Sequence, residues 1–107
     1  MPVHLTFRES LDAGTRSRLV ELCHRWQIAE LALFGSVLRD DFQPESDVDV
    51  LVTFAPQATW SLWDFLDLEE ELSRLLGREV DLVSRGSLRN PIRRREILGT
   101  RQVLYAA

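Results

Sequence analysis

The chain has 107 residues, of which 45% are hydrophobic, and its formal net charge is −4. This size and composition are typical of one globular domain over residues 1–107, and the acidic balance argues against duplex nucleic acid as the main partner, because such binding depends on neutralising phosphates. No apolar run is long enough to cross a membrane, and the single cysteine, Cys23, cannot form an internal disulfide, so we expect a cytoplasmic protein.

The N-terminal part of the chain predicts one helix. In residues 2–8 apolar and polar side chains alternate, which indicates either a short strand or an N-terminal arm. From Thr15 to Gln27, apolar side chains recur every three or four residues, a spacing typical of an amphipathic helix, with Asp12 or Thr15 as its N-cap. Cys23 lies on the apolar side of this helix, and we expect it in the core.

A strand, a turn and a second strand follow. The segment Glu30–Phe34 is short, apolar and ended by Gly35, which predicts a strand, and Ser36–Arg39 is expected to form a short helical turn. The segment Asp47–Phe54, DVDVLVTF, is dominated by β-branched residues and predicts the clearest strand of the chain. One face of this strand carries Val48, Val50, Val52 and Phe54, and the other carries Asp47, Asp49, Leu51 and Thr53.

A long amphipathic helix is predicted next. A capping pattern at Ser61 and Asp64 starts the helix, which extends to about Leu76 and stops before Gly77. Trp63 is expected to pack in the core, and Trp60 to be partly exposed. The other core-facing residues are predicted to be Leu62, Phe65, Leu68, Leu72 and Leu75.

The C-terminal segment predicts the remaining elements. Glu79–Ser84 predicts a third strand, Ser87–Leu98 a short helix with Pro91 in its first turn, and Gln102–Tyr105 a last strand. Strands that alternate with helices predict an α/β (α+β) fold in which helices flank a small sheet.

Two acidic residues at the start of the clearest strand raise a question of charge. Residues two apart in a strand point to the same side, so Asp47 and Asp49 project together, with their roots about 6–7 Å apart. Their like charges repel, and burial of either carboxylate without a partner is costly, so a cation is the obvious compensation. Mg²⁺ suits such oxygen ligands and takes one or two carboxylates together with substrate phosphates. The alternative is a strand end that simply exposes two acids.

Two further features favour a site that handles phosphate. Gly35 allows close approach to the backbone, and the free amides where the turn opens at Ser36 attract an anion, although a simple strand-ending turn is the alternative. Asp81 is the polar residue of the predicted strand EVDLVS, and it would face the same side as the acid pair if the two strands are neighbours. Three carboxylates beside such a turn have a good chemical rationale and little structural one.

The order of these motifs resembles that of a known superfamily. G-S-x-x-R, then S-D-x-D before an apolar strand, then a later single aspartate on a strand, resembles the nucleotidyltransferases related to DNA polymerase β. It resembles more closely the minimal nucleotidyltransferases, or MNT-domain proteins, which pair with HEPN-domain toxins in prokaryotic toxin–antitoxin modules. The resemblance covers nearly the whole chain and implies a nucleotidyltransferase fold with a small mixed sheet. The matching positions are Gly35, Ser36, Arg39, Ser46, Asp47, Asp49 and Asp81.

The resemblance implies a role for each matching position. The β- and γ-phosphates of the nucleotide would be held at Gly35 and Ser36, and Arg39 and Ser46 are the other expected nucleotide-binding positions. The carboxylates would bind two Mg²⁺ ions, and Asp81 would also take the proton from the attacking hydroxyl. The expected catalytic and metal-binding residues are therefore Asp47, Asp49 and Asp81.

The resemblance also implies a function and a partner. The expected protein is a Mg²⁺-dependent antitoxin that transfers AMP from ATP to a hydroxyl, expected to be a tyrosine, of a HEPN ribonuclease toxin, with which it forms a hetero-oligomer. One alternative is a non-catalytic antitoxin that neutralises its toxin by binding alone. Another is transfer onto RNA or onto a small molecule, against which the absence of an acceptor-binding domain counts.

The chain departs from the family pattern beside the turn, and it carries a basic C-terminal segment. Leu38 and Asp40 flank Arg39 where many relatives have small residues, and the negative charge of Asp40 and Asp41 is expected to oppose nucleotide binding unless both point outward. Residues 85–107 hold six arginines against one glutamate, a local net charge of +5. The expected ligands of this segment are nucleotide phosphates, an acidic partner surface or RNA, and a solvated helix face is the alternative; its candidate residues are Arg89, Arg93 and Arg94.

Overall fold

A computed structural model describes residues 7–39 and 46–107 of the chain. The strand or arm predicted for residues 2–8 lies mostly outside these ranges, and the described part of it, from Phe7, is helical. In chain order the helices and strands are α1 (Phe7–Ser10), α2 (Ala13–Arg25), β1 (Ile28–Phe34), β2 (Val48–Phe54), α3 (Leu62–Leu76), β3 (Val80–Ser84), α4 (Pro91–Thr100) and β4 (Gln102–Ala106), with short 3₁₀ turns at Gly35–Leu38 and Arg85–Ser87.

The four strands form one mixed sheet in the order β3-β2-β1-β4. Strand β1 runs antiparallel to both β2 and β4, whereas β2 and β3 are parallel. Parallel neighbours need a crossover connection, and α3 supplies it. The prediction of a small mixed sheet flanked by helices is confirmed.

The two faces of β2 are buried in different ways, as the alternation of its sequence predicts. Val48, Val50 and Val52 are fully buried under α2 and α3, in a cluster that includes Cys23. Burial raises the pKa of the Cys23 thiol to about 12, so this side chain is an unreactive part of the core. On the opposite face, Leu51 joins a smaller cluster with Phe34, Leu88 and Ile97, the last of which belongs to α4.

Helix α3 begins and ends where the sequence predicts, but its first turn is exposed. Ser61 and Asp64 form a capping box, and Gly77 ends the helix in the left-handed conformation with a φ of 67°. The predicted burial of Leu62 and Trp63 is wrong, because these side chains are 71% and 76% exposed. Trp63 precedes the buried Leu68 by five residues, which places it about 140° around the helix and away from the sheet.

The C-terminal helix starts later than the sequence predicts. The predicted span was Ser87–Leu98, whereas α4 is Pro91–Thr100, because Asn90 is its N-cap and accepts hydrogen bonds from the N–H groups of Ile92 and Arg93. Pro91 occupies the first turn, as expected. The start of α4 is therefore fixed by a polar side chain.

The outer edge of β3 is covered by side chains of α3. The N–H of Val80 donates to the hydroxyl oxygen of Ser73 at 3.0 Å, and the N–H of Leu82 donates to a carboxylate oxygen of Glu69 at 2.8 Å. Both donors point away from β2, so neither is used in the sheet. Helix α3 therefore contacts β3 at its outer edge as well as on the face of the sheet.

An ion pair ties the end of α4 back to the sheet. The guanidinium of Arg101 donates to both carboxylate oxygens of Glu30 on β1, at 2.7 and 3.2 Å, and the two side chains are only 25% and 19% exposed. The hydrogen bonds from Arg101 hold the pKa of the Glu30 carboxyl below its usual range. The ion pair therefore holds the junction between α4 and β4 against β1.

Replacing Glu30 with Gln is expected to lower the free energy of unfolding by about 1–2 kcal/mol at neutral pH, because Arg101 then loses a charged acceptor. A carboxyl with a lowered folded-state pKa stabilises the fold above its unfolded value, and this contribution is lost as the pH falls through the folded value. The difference between the variant and the wild-type chain should therefore shrink below about pH 4. Urea denaturation at several pH values measures it.

The control for this prediction is Arg25→Gln. Arg25 pairs with Glu71 at 2.5 Å, but its side chain is 61% exposed, so its loss is expected to destabilise the fold less than the loss of Glu30 does. Equal destabilisation by the two substitutions at pH 7 would contradict the structural role assigned to the Glu30–Arg101 pair.

Candidate functional site

The acidic residues singled out in the sequence meet on one face of the sheet. In the parallel pairing of β2 with β3, Asp49 and Asp81 are direct partners, so their side chains point to the same side. Asp47 lies just before β2 and is exposed, as is Asp81, whereas Asp49 is half-buried. The expectation that Asp81 faces the same side as the pair is confirmed for Asp49, its direct partner in the sheet.

The environment of Asp49 disfavours its charge. Burial raises the pKa of the Asp49 carboxyl, and the negative charges of Asp81 and Asp47 raise it further. The positive charge of Arg93 and a hydrogen bond from the backbone N–H of Ser36 act in the opposite direction. The site therefore concentrates negative charge that a cation would relieve.

The turn after β1 is in direct contact with Asp49. Gly35 has a φ of 75°, a conformation that side chains other than glycine's rarely adopt. A Cβ atom on Gly35 would overlap a carboxylate oxygen of Asp49, so the close approach also requires glycine. The next residue, Ser36, donates its N–H to the same carboxylate. The predicted helical turn is present as a 3₁₀ turn, and it is in contact with Asp49 through Gly35 and Ser36.

The remaining predicted nucleotide-binding positions lie at the ends of the connection between β1 and β2. Arg39 closes the 3₁₀ turn, where its N–H donates to the carbonyl of Ser36 at 3.0 Å, and its side chain is exposed. The carbonyl of Ser46 accepts a hydrogen bond from Arg78 at 2.8 Å, which holds the entry to β2. Asp40, Asp41 and the rest of residues 40–45 lie outside the described residues.

One of the three arginines singled out in the C-terminal segment reaches the acidic site. All three side chains are exposed; the charge of Arg93 lowers the pKa of the Asp49 carboxyl, and Arg94 donates to the carbonyl of Leu88 at 3.5 Å. Arg93 precedes Ile97 by four residues and so shares its helix face, but this spacing becomes informative only once Ile97 is known to be buried against the sheet.

The donor atoms at the site are carboxylate oxygens, which are the ligands that Mg²⁺ prefers. Within residues 7–39 and 46–107, no three His, Cys, Asp or Glu side chains are arranged to hold a metal ion among themselves, so the three carboxylates predicted to share a metal site, Asp47, Asp49 and Asp81, do not form one without further ligands. An open site of one or two carboxylates fits the way Mg²⁺ is bound together with substrate phosphates. The donor set is therefore compatible with Mg²⁺ that arrives with a nucleotide.

The chain is similar to known nucleotidyltransferases. The model of the family described as "Nucleotidyltransferase domain" matches residues 17–104. The protein adenylyltransferase MntA of Thermococcus cleftensis is 37% identical over 97 residues, which are 91% of this chain and 93% of that protein. A solved structure assigned as a minimal nucleotidyltransferase is 31% identical and superimposes with a TM-score of 0.68. The match covers 95% of this chain and 97% of the chain in that structure.

A more distant structure shares the fold. It contains a tri-AMPylated HEPN toxin of Shewanella oneidensis in complex with an MNT antitoxin, and its matching chain superimposes with a TM-score of 0.60 at 20% identity. The match covers 87% of this chain and 71% of that one. In the described part of the present chain, no helix has the length and apolar character needed to cross a membrane.

Proposed function

Because the chain belongs to the nucleotidyltransferase domain family, we propose that it is a Mg²⁺-dependent antitoxin that transfers AMP from ATP to a tyrosine hydroxyl of a HEPN-domain toxin. The observation that carries this proposal is the register of the sheet, which pairs Asp49 with Asp81 beside the turn at Gly35. Catalysis of phosphoryl transfer depends mainly on positioning and on neutralising charge; these residues would position the nucleotide and bind the cations that neutralise its charge.

The nucleotide is proposed to bind where the turn meets the acid pair. Gly35 and Ser36 would contact the phosphates from the turn, and because this turn lies directly against the Asp49 carboxylate, a nucleotide bound there would meet both. Asp47, Asp49 and Asp81 would bind two Mg²⁺ ions together with the phosphates of the nucleotide. When bound, these ions neutralise phosphate charge and stabilise the entering and leaving oxygens of an in-line displacement.

The transfer step needs one proton acceptor from the chain. The acceptor's hydroxyl oxygen forms a bond to the α-phosphorus of ATP, the bond from that phosphorus to the bridging oxygen breaks, and pyrophosphate leaves. Asp81 accepts the hydroxyl proton. It is suited to this role because it is exposed on the edge strand β3, where an acceptor from another molecule can reach it.

Three observations support a protein as the acceptor. The relative that is 37% identical is a protein adenylyltransferase, and the distant structure with the same fold holds an AMPylated HEPN toxin. The chain also exposes a group of large apolar side chains on the first two turns of α3, a feature typical of protein interfaces. That group consists of Leu62, Trp63 and Leu66.

The proposal is tested by mixing the chain with its cognate HEPN-domain toxin, Mg²⁺ and ATP labelled on the α-phosphate. The label is expected on the toxin, and it should disappear when the chain is left out. ATP labelled on the γ-phosphate is the matched control, because AMP transfer leaves that phosphate in pyrophosphate. Label from the γ-phosphate, or none from either, would refute adenylyl transfer.

The rival function is neutralisation by contact alone, and the exposed apolar group on α3 is the observation that favours it. The same assay separates the two functions when it includes the Asp47→Asn variant and a measurement of toxin ribonuclease activity. Catalytic neutralisation predicts that the variant loses both label transfer and protection. Full protection by a variant that transfers no label would support contact alone.

A further inference from the structure

Helix α4 carries one arginine over the acidic site. Ile97 packs against Phe34 and Leu51 on the face of the sheet that also bears Asp49. Leu51 follows Asp49 by two residues in β2, and Arg93 precedes Ile97 by four residues in α4. Residues four apart share a helix face, so Arg93 lies one turn further along the same side of the helix, toward the carboxylates.

The guanidinium of Arg93 is not engaged by other side chains of the fold. The place of Arg93 on the sheet-facing side of α4 agrees with its being the positive charge that lowers the pKa of the Asp49 carboxyl. Among the described residues, however, its guanidinium takes part in no ion pair and donates no hydrogen bond, in contrast to Arg94 and Arg101. All of its donors are available to a ligand that enters the site.

The backbone under Arg93 is held in place. The side chain of Asn90 accepts the N–H of Arg93 at 3.2 Å, and Pro91 fixes the first turn of the helix. Leu88 before the helix and Ile97 within it are both buried. Because the helix start is fixed, the position from which the guanidinium extends is also fixed, and a ligand need order only the side chain.

The ligand that fits this arrangement is the outer part of a nucleoside triphosphate. The carboxylates repel phosphate unless cations intervene, and the turn at Gly35 and Ser36 offers only uncharged groups. A planar guanidinium matches phosphate oxygens with two parallel donors, and it can stabilise the charge that develops on a leaving pyrophosphate. A triphosphate carries more negative charge than a single phosphate, so it gains more from a nearby guanidinium when it binds next to the acid pair.

We propose that Arg93 binds the β- and γ-phosphates of ATP, so that α4 forms one wall of the nucleotide site. This inference deepens the proposed function and rests on it in so far as ATP is the donor. It assigns a specific ligand to the basic helix, whose ligand the sequence leaves open among nucleotide phosphates, an acidic partner surface and RNA.

The test compares the binding of ATP and of AMP to the purified full-length chain in Mg²⁺-containing buffer, by titration calorimetry. Arg93→Gln is expected to raise the Kd for ATP by roughly tenfold to a hundredfold, which is the range for a lost charge-assisted contact. It is expected to change the Kd for AMP by less than about twofold, because AMP lacks both outer phosphates. Arg93→Lys should recover part of the ATP affinity, since it restores the charge without the fork.

Arg95→Gln is the matched control. Arg95 is exposed on the same helix but lies about 200° around it from Arg93, so its loss removes the same charge from the other side. It is expected to leave both dissociation constants unchanged. A similar loss of ATP affinity in the two variants would reduce the effect to net charge and would overturn the inference.

Other results separate this inference from the proposed function. Unchanged ATP affinity in Arg93→Gln, with label transfer to the toxin intact, would overturn the role of Arg93 and leave the adenylyl transfer standing. Equal weakening of ATP and AMP binding would show a merely structural role and would also overturn it. If the Kd values for ATP and AMP change in Arg93→Gln as predicted but the wild-type chain labels no protein, the phosphate-binding role of Arg93 would be supported and the proposed protein acceptor refuted. A wild-type chain that binds no ATP would refute both.

Discussion

Replacing Asp49 with Asn is expected to lower adenylyl transfer by roughly a hundredfold to a thousandfold, the range observed when one group that stabilises transition-state charge is removed. The same substitution is expected to make the folded chain more stable at neutral pH. The gain in stability is expected because burial and the neighbouring charges of Asp81 and Asp47 raise the pKa of the Asp49 carboxyl, so that its ionised form is unfavourable in the fold. The ionised Asp49 carboxylate, which the proposed catalysis requires, thus lowers the stability of the fold.

The direction of the pH dependence follows from the raised pKa. A carboxyl whose folded-state pKa lies above its unfolded value favours the folded state at low pH, and this contribution is lost as the pH rises through the folded value. Asn cannot ionise, so it avoids the loss. The stability advantage of Asp49→Asn should therefore be present at pH 7 and disappear below about pH 3.9, the ordinary value for aspartate.

Thermal unfolding at pH 7 and at pH 3, together with the label-transfer assay, measures both effects. Asp67→Asn is a suitable control, because Asp67 is exposed on α3 and makes no hydrogen bond or ion pair with the described residues. The control should change neither activity nor the pH dependence of stability. A variant Asp49→Asn that is less stable than the wild-type chain at pH 7 would show that the charge of Asp49 is compensated within the fold.

Replacing Gly35 with Ala is expected to reduce adenylyl transfer by about a hundredfold, because a displacement of about 1 Å at a catalytic group can have that effect. The added Cβ would overlap the Asp49 carboxylate, so either the turn or the acid has to move. The substitution also forces a non-glycine residue into the left-handed conformation, which costs about 1–2 kcal/mol. The variant should lose both activity and stability.

Gly77→Ala isolates the second of these effects. Gly77 has nearly the same φ, 67°, but no atom lies within 4 Å of where its Cβ would be. Its substitution should therefore lower stability by about 1–2 kcal/mol through the backbone alone and leave adenylyl transfer unchanged. Chemical denaturation and the transfer assay applied to both variants decide the matter. Full activity in Gly35→Ala would mean that the contact with Asp49 is not needed for catalysis.

Local sequence signals predict the sheet and the partners of Asp49 well. The alternation of β2 identifies both of its faces, and its parallel pairing with β3 brings Asp81 to the position expected for a third carboxylate. These features are predictable because a strand has a period of two and a buried strand needs β-branched residues. The capping residues Asp12 and Ser61 are predictable for a similar reason, since each bonds to an N–H within three residues.

Features that depend on packing between distant elements are not predictable in this way. Leu62 and Trp63 are apolar residues at the start of a clear helix, and only the tertiary structure shows that this turn extends beyond the sheet. Helix α4 has few apolar residues, so its periodicity does not reveal that Ile97 faces the sheet or that Arg93 reaches Asp49. Which arginine meets the site is decided by how α4 packs on the sheet.

The hydrogen bonds from β3 to Ser73 and Glu69 limit how this chain can meet other proteins. Recruitment by β-augmentation requires an edge strand that offers unpaired backbone donors to an incoming strand. At Val80 and Leu82 those donors are already occupied by side chains of the preceding helix. This border of the sheet is therefore closed to a foreign strand at both positions, and recognition there has to proceed through side-chain surfaces.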